Sequence, residues 1–209
     1  VLFRSGMNHA RILPVFVDAI LDEMRHKGLR LDAVCVSGGP GSYTGLRIGV
    51  STAKGLCYGY GIPLFSLDTT QVVAAGAKLR QEVDSEALIC PMIDARRMEV
   101  YTALYDSNLN QLSDIAPLVI DQNSFAEWLS SHNVCFCGNG STKCRTLLTH
   151  PNALFIDGVE ALATSMAQLS FDKYRNFMLG EANNEDVAYY TPFYLKNFQP
   201  APSHVKGLK

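Results

Sequence analysis

The sequence predicts an α/β protein with a sheet of mixed direction, and three observations predict it. Segments of helical period alternate with short apolar strand-like runs. The first such run ends in a glycine-rich turn that opens directly into a helix. Further on, two strand segments follow one another with only a tight turn between them, so the strands cannot all be parallel.

The elements follow in order. Over residues 11–26, Ile12, Val15, Phe16, Ala19 and Ile20 recur at the spacing of one helical face. Leu13, Val17, Leu21 and Met24 form a second apolar stripe, leaving Asp18, Asp22 and Arg25 as a narrow polar line. Pro14 belongs in a first turn, so the helix should begin close to it, and Gly28 supplies the stop. A helix this apolar is buried or meets two neighbours. Residues 32–37 (DAVCVS) read as a buried strand, and Thr44 is a suitable cap for a helix running to about Tyr60. Residues 62–66 form another strand, and Thr69 or Thr70 caps a helix through Leu79. Strands are expected at 87–93 and 99–105, then a helix near 124–130, a strand at 134–137 and a helix from about Thr142. Residues 159–177 form a long amphipathic helix with Leu162, Ala163, Met166 and Leu169 inward. The polar stretch 80–86 is the expected boundary between an N-terminal lobe (6–86) and a C-terminal lobe (87–197), with a tail at 198–209.

Composition narrows the function. The chain has 209 residues, long enough to bury a core without disulfide staples. With 47% hydrophobic and 18% charged residues it is not a disordered chain. A net charge of −2 argues against a protein that holds nucleic acid alone through a basic face. No apolar run approaches the roughly 18 residues needed to cross a bilayer, and the opening VLFRSGMNHA does not read as a signal peptide. Six scattered cysteines read as reduced thiols, which places the expectation in the cytoplasm.

The most informative stretch is GPGSYTGLRIG, residues 39–49. A glycine-rich turn before a helix can cradle phosphate, because unpaired amides and the helix dipole face the anion. It is neither a Walker loop, lacking Gly-Lys-Ser or Gly-Lys-Thr, nor a dinucleotide fingerprint, since its third glycine falls one residue late at Gly45. The plain alternative is a tight turn whose glycines supply unusual backbone angles. Gly39, Gly41, Ser42 and Thr44, with a second turn at Gly138 and Gly140, are the candidate phosphate-loop residues. Gly45, Gly49, Ala53 and Cys57 make a stripe of small side chains that would let another helix approach closely. That helix belongs either to the same chain or, as the doubly apolar first helix favours, to a partner. Arg47 stands in the first helical turn, where the dipole disfavours a cation; this suggests an acidic or phosphate partner, but a plain surface arginine is the favoured reading.

GPGSYTGLRIG with the following STAKGLCYG, then MIDARRMEVY (92–101), Gly138-Asn139-Gly140 and the late PFYLK (192–196), resembles the signature of the bacterial TsaB (YeaZ) family. The resemblance covers about residues 8 to 197. It implies a two-lobed fold of the actin-like ATPase (ASKHA) class with mixed sheets. It further implies a non-catalytic partner of the TsaD subunit, with the TsaE ATPase, in making threonylcarbamoyladenosine beside the tRNA anticodon. Partner helices then map to Ile12, Leu13, Phe16, Val17 and Ile20, and to Leu46, Arg47, Gly49, Val50 and Ala53. The same helices would form a homodimer, tRNA would be met only indirectly, and ATP or ADP would bind only at the interface of the assembled complex. Family members begin with a strand carrying an Asp-Thr-Ser type motif and a hairpin, whereas this chain opens on Val1 without them. The expectation is a first lobe missing its N-terminal strands, with an open sheet edge and exposed apolar surface.

Other chemistry finds little support in the residues. None of the five histidines pairs with another at helical metal-ligand spacing. His132, Cys135, Cys137, Cys144 and His150 cluster, but Cys-x-Cys on a strand only sets two small residues on one face, so no metal is expected. The Gly-x-Ser-x-Gly elbow of a serine hydrolase is missing, no histidine is placed as base, and no residue is expected to be catalytic. Asp94, Arg96 and Glu99 read as an ion-paired hairpin or a partner contact. The alternative function is an ATP-binding enzyme of the ASKHA class, or a peptidase-like protein, acting alone.

Overall fold

The first helix, α1 (His9–His26), begins a full turn ahead of Pro14, earlier than the proline suggests. The proline therefore sits in the second turn, where it offers no amide to the carbonyl of Ala10. The structure is a computed structural model and describes residues 9–80 and 83–196. The start of the expected N-terminal lobe and the tail at 198–209 lie outside the described residues. α1 ends as expected at Gly28, where Leu29 N–H donates to the Met24 carbonyl at 2.9 Å. It packs chiefly on α2 (Tyr43–Tyr60), and none of its described side chains is fully buried.

Strands β1 (Val34–Gly39) and β2 (Leu64–Asp68) are parallel and joined by α2. Among the described residues β1 pairs with β2 alone, so its other edge carries no strand. The cap of α2 is Ser42, not Thr44: its hydroxyl accepts from Gly45 N–H, and the extended backbone at Ser42 lets it do so. Leu46, Val50, Ala53 and Cys57 are the buried face of α2, against β1 and β2, with Val34, Val36 and Ile62 packed beside them. The helix α3 (Thr69–Leu79) lies between this pair of strands and the second sheet. Contact on nearly every side explains its run of small residues, with Val72, Val73, Ala74, Ala75 and Ala77 all buried.

The second sheet has the order β5-β4-β3-β6-β7. Its strands are β3 (Leu88–Asp94), β4 (Glu99–Thr102), β5 (Ala116–Val119), β6 (Val134–Cys137) and β7 (Ala153–Ile156). β4 runs antiparallel to both β3 and β5, while β6 and β7 run parallel to β3, so the sheet is mixed as predicted. Alternation sorts the side chains into two cores. Ile89, Cys135 and Cys137 face α3, whereas Leu88, Cys90, Val134 and Phe136 face the short helices. All six cysteines are free thiols and five are buried. Burial pushes the Cys90 thiol up to about 12, which leaves it protonated and inert.

The helices α4 (Ala126–Leu129) and α5 (Ser141–Cys144) are single turns, and α4 is shorter than the expected 124–130. The last helix, α6 (Ala163–Met178), begins after its cap at Leu162, and Ala163 is exposed rather than inward. Its buried residue is Ser165, with Met166 and Leu169 less enclosed than the amphipathic pattern implies. α6 returns to the first sheet, where Phe65 meets the rings of Tyr174 at 6.4 Å and Phe177 at 5.6 Å.

Candidate functional site

A cleft of about 900 Å³ opens between the two sheets. One wall is the start of α2, with Gly41, Ser42, Tyr43 and Thr44. The opposite wall is the β3–β4 turn, with Asp94, Ala95 and Arg96, and Asn139 and Tyr101 sit beside it. Tyr194, Leu195 and Lys196 form the third side. The fold thus brings to one place the two glycine turns, the hairpin and the late block, which stand far apart along the sequence.

The glycines themselves serve packing. Gly39 is buried at φ 126, and a methyl group there would fall 2.4 Å from the Phe193 carbonyl oxygen. Gly138 has φ 95, and its methyl would fall 2.5 Å from the Met92 carbonyl oxygen. At Gly140 a methyl would lie 3.0 Å from both Met92 O and Asp94 N. Of the six candidate phosphate-loop residues, only Gly41, Ser42 and Thr44 line the cleft; Gly39, Gly138 and Gly140 do not. Close approach of neighbouring backbone decides their identity.

Charges in the cleft are largely matched. Asp94 is ion-paired with Lys143, which also donates to the Glu99 carbonyl at 2.7 Å. Asp94 accepts from Arg96 N–H at 3.0 Å, and its own N–H donates to Asn139 Oδ1 at 2.9 Å. The Lys143 hydrogen bond is the main reason its carboxyl is held below the usual carboxylate range. Glu99 is ion-paired with Lys196. The ion pairs of Asp94 and Glu99 run to Lys143 and Lys196 rather than to Arg96, whose backbone N–H alone bonds Asp94, which corrects the expectation of an ion-paired hairpin among the three. Arg96 and Arg97 carry the positive φ values of the turn, 71° and 50°. Arg47 lies over the Tyr43 ring at 5.6 Å, and Tyr43 meets Tyr194 at 4.7 Å. Arg47 is thus an exposed arginine with an aromatic neighbour. Among the described residues no group of three His, Cys, Asp or Glu side chains is placed to hold a metal ion.

The candidate interface residues divide. On α1, Phe16 is 39% and Ile20 45% exposed, with Ile12, Leu13 and Val17 half-buried. Val15, outside that set, is 65% exposed. On α2, Arg47 is not buried, but Leu46, Val50 and Ala53 are buried within the chain. A methyl on Gly49 would lie 3.9 Å from Val36 of β1. Ala53 and Cys57 of the small-residue stripe thus lie against the chain's own sheet with Gly49 beside it, while Gly45 is exposed; the burial of Leu46, Val50 and Ala53 corrects the expectation of a partner at those three residues. Small side chains let α2 lie close on a twisted two-stranded sheet as readily as on another helix.

Asp68, at the end of β2, carries no signal in the sequence, since its setting is made by distant segments. Burial raises its carboxyl above the ordinary range, and the nearby Lys173 only partly opposes this; Tyr105 and Tyr190 also face it. A carboxylate whose folded pKa is raised costs stability above that pKa and nothing below its unfolded value. Asp68→Asn is expected to stabilise the fold at about pH 7 and to have little effect at about pH 3.5, as read by urea unfolding.

The sequence profile of the TsaD family, tRNA N6-adenosine threonylcarbamoyltransferase, matches residues 4–193. The chain belongs to this family. Several of the chain's curated relatives are TsaB proteins. It is 37% identical over 124 residues to the tRNA threonylcarbamoyladenosine biosynthesis protein TsaB of Bacillus subtilis, covering 58% of this chain and 50% of that protein. It is 36% identical over 100 residues to TsaB of Escherichia coli, covering 48% and 42%. The chain thus spans about half the length of the curated relatives it matches, or less. Two solved Pseudomonas aeruginosa structures share the fold of this TsaB-like chain. An uncharacterized protein with similarity to peptidase YeaZ matches at TM-score 0.72 and 21% identity, covering 90% of this chain and 84% of its own. YeaZ matches at 0.70 and 20%, covering 93% and 88%. The mixed α/β architecture is accordingly of the actin-like ATPase type.

Proposed function

We propose that this chain is a non-catalytic assembly subunit in the biosynthesis of tRNA threonylcarbamoyladenosine. It would act in the cytoplasm, hold a TsaD-type catalytic subunit together with a TsaE-type ATPase, and meet tRNA only through them. The observation that carries this reading is the match to TsaB at 37% identity. Two features of the chain support it. α1 presents Val15 and Ile20 to solvent at 65% and 45% exposure, an apolar stripe suited to a partner helix. Among the described residues, those lining the cleft include neither histidine nor cysteine, and the Ser42 hydroxyl is used as a helix cap. On this reading ATP or ADP binds at the interface of the assembled complex, and a homodimer competes for the same α1 face.

The test is complementation. In Bacillus subtilis cells depleted of TsaB, this chain should restore threonylcarbamoyladenosine, measured by mass spectrometry of digested tRNA. The purified chain should co-elute with the TsaD-type protein. Absence of both would overturn the assignment, and ATP hydrolysis by the isolated chain would favour a lone enzyme instead.

A further inference from the structure

After α6 the chain runs as an irregular strap, residues 184–196, from the first sheet to the second. Four separate elements hold it. Glu185 N–H donates to the Leu64 carbonyl at 2.8 Å, and Ser66 Oγ donates to the Glu185 carboxylate at 3.0 Å, which fixes the strap to β2. Lys54 on α2 donates to the carbonyls of Ala188 at 2.9 Å and Tyr190 at 3.1 Å. Phe193 N–H donates to the Gly38 carbonyl at 2.8 Å, at the end of β1. Lys196 reaches Glu99 on β4, in the second sheet. Between the last two ties, Tyr194 stacks on Tyr43 at the mouth of the cleft.

β1 is shaped to receive this strap. A methyl group at Gly38 would fall 2.2 Å from the Tyr190 hydroxyl, and one at Gly39 2.4 Å from the Phe193 carbonyl oxygen. The two glycines that begin the glycine-rich turn therefore make room for the strap rather than for a ligand.

We infer that residues 184–196 are a latch across the cleft, hinged on β2 at Glu185, caught on β4 by Lys196, and tied to α2 by Lys54. The latch forms one wall of the cleft and is bound to α2, the helix on which α1 rests. A shift of α2 on partner docking would move that wall through the ammonium of Lys54. The charged hydrogen bonds of Lys54 are the coupling, since a charge-assisted bond to a carbonyl holds more strongly than a neutral one. The latch itself rests on contacts within the chain, whereas its movement on partner docking rests on the proposed function.

Amide hydrogen exchange resolved by peptide tests it. Lys54→Met should speed exchange over residues 188–196 at least about tenfold, a factor that the loss of even one charged hydrogen bond reaches. β3 and β6 should keep their original rates. Lys196→Gln should speed exchange only near 193–196 and in the facing turn 41–44. Gly38→Ala should loosen the same strap, and adding Tyr190→Phe should restore slow exchange by removing the hydroxyl that the new methyl would strike. Unchanged exchange over 188–196 in Lys54→Met would overturn the latch. Equal acceleration of β3 and β6 would overturn it too, since Lys54 would then support the whole fold.

Discussion

Gly39→Ala should lower the stability of the chain by about 3 kcal/mol or more, with a matching drop in thermal midpoint and in soluble yield. Two costs add at this position. The backbone lies at φ 126, which an L side chain rarely adopts, and the new methyl would meet a carbonyl oxygen of the main chain at 2.4 Å. Main chain cannot turn aside as a flexible side chain can, so the strap, the loop or both must move. Gly138→Ala should behave alike, for the same pair of reasons. Gly55 supplies the contrast. It lies inside α2 with no heavy atom within 4 Å of the missing methyl, so Gly55→Ala should stabilise by about 0.5–1 kcal/mol. If instead Gly39 served to let a phosphate approach the backbone, its alanine variant would keep the stability of the parent and lose only a ligand. Urea unfolding of the three variants separates these outcomes.

The residues alone tell most where the determinant is local. The strand at 134–137 is legible to the residue, and the end of α1 at Gly28 follows from its glycine. β5 and β7 leave no such trace, because each is only four residues long and gains its definition from pairing, β5 with β4 and β7 with β6. α4 is shorter than the expected 124–130, entered through Phe125 in a left-handed conformation at φ 65. The cleft is legible in pieces: the turn at 41–44, the hairpin at 94–96 and Asn139 each stand out in the sequence. That Tyr194 stacks on Tyr43, and that Lys54 ties the strap, depends on how distant segments meet, and no local pattern carries that. The stripe Gly45, Gly49, Ala53, Cys57 shows the limit most sharply. A four-residue repeat of small side chains specifies close approach but not the identity of what approaches, and for Gly49, Ala53 and Cys57 it is the β1–β2 pair of the same chain, while Gly45 is exposed.

With the inward face of α2 thus assigned, association should rest on α1. Val15→Glu combined with Ile20→Glu is expected to weaken binding to a TsaD-type partner at least about tenfold, and to abolish any homodimer formed through the same face. The variant removes two apolar side chains from the interface and forces two carboxylates into it. Either effect exceeds the roughly 1.4 kcal/mol that a factor of ten requires. Folding should survive, because Val15 is largely and Ile20 nearly half exposed in the isolated chain and glutamate is a good helix former. The thermal midpoint is therefore the control. Ala53→Glu on α2 should do the reverse: Ala53 is 5% exposed, so the charge enters the chain's own core and the fold fails before any interface is tested. Size-exclusion chromatography with calorimetric titration distinguishes the cases. Unchanged partner affinity in the α1 double variant, with an unchanged thermal midpoint, would show that the partner docks elsewhere, and the exposed stripe on α1 would lose its role in the assembly.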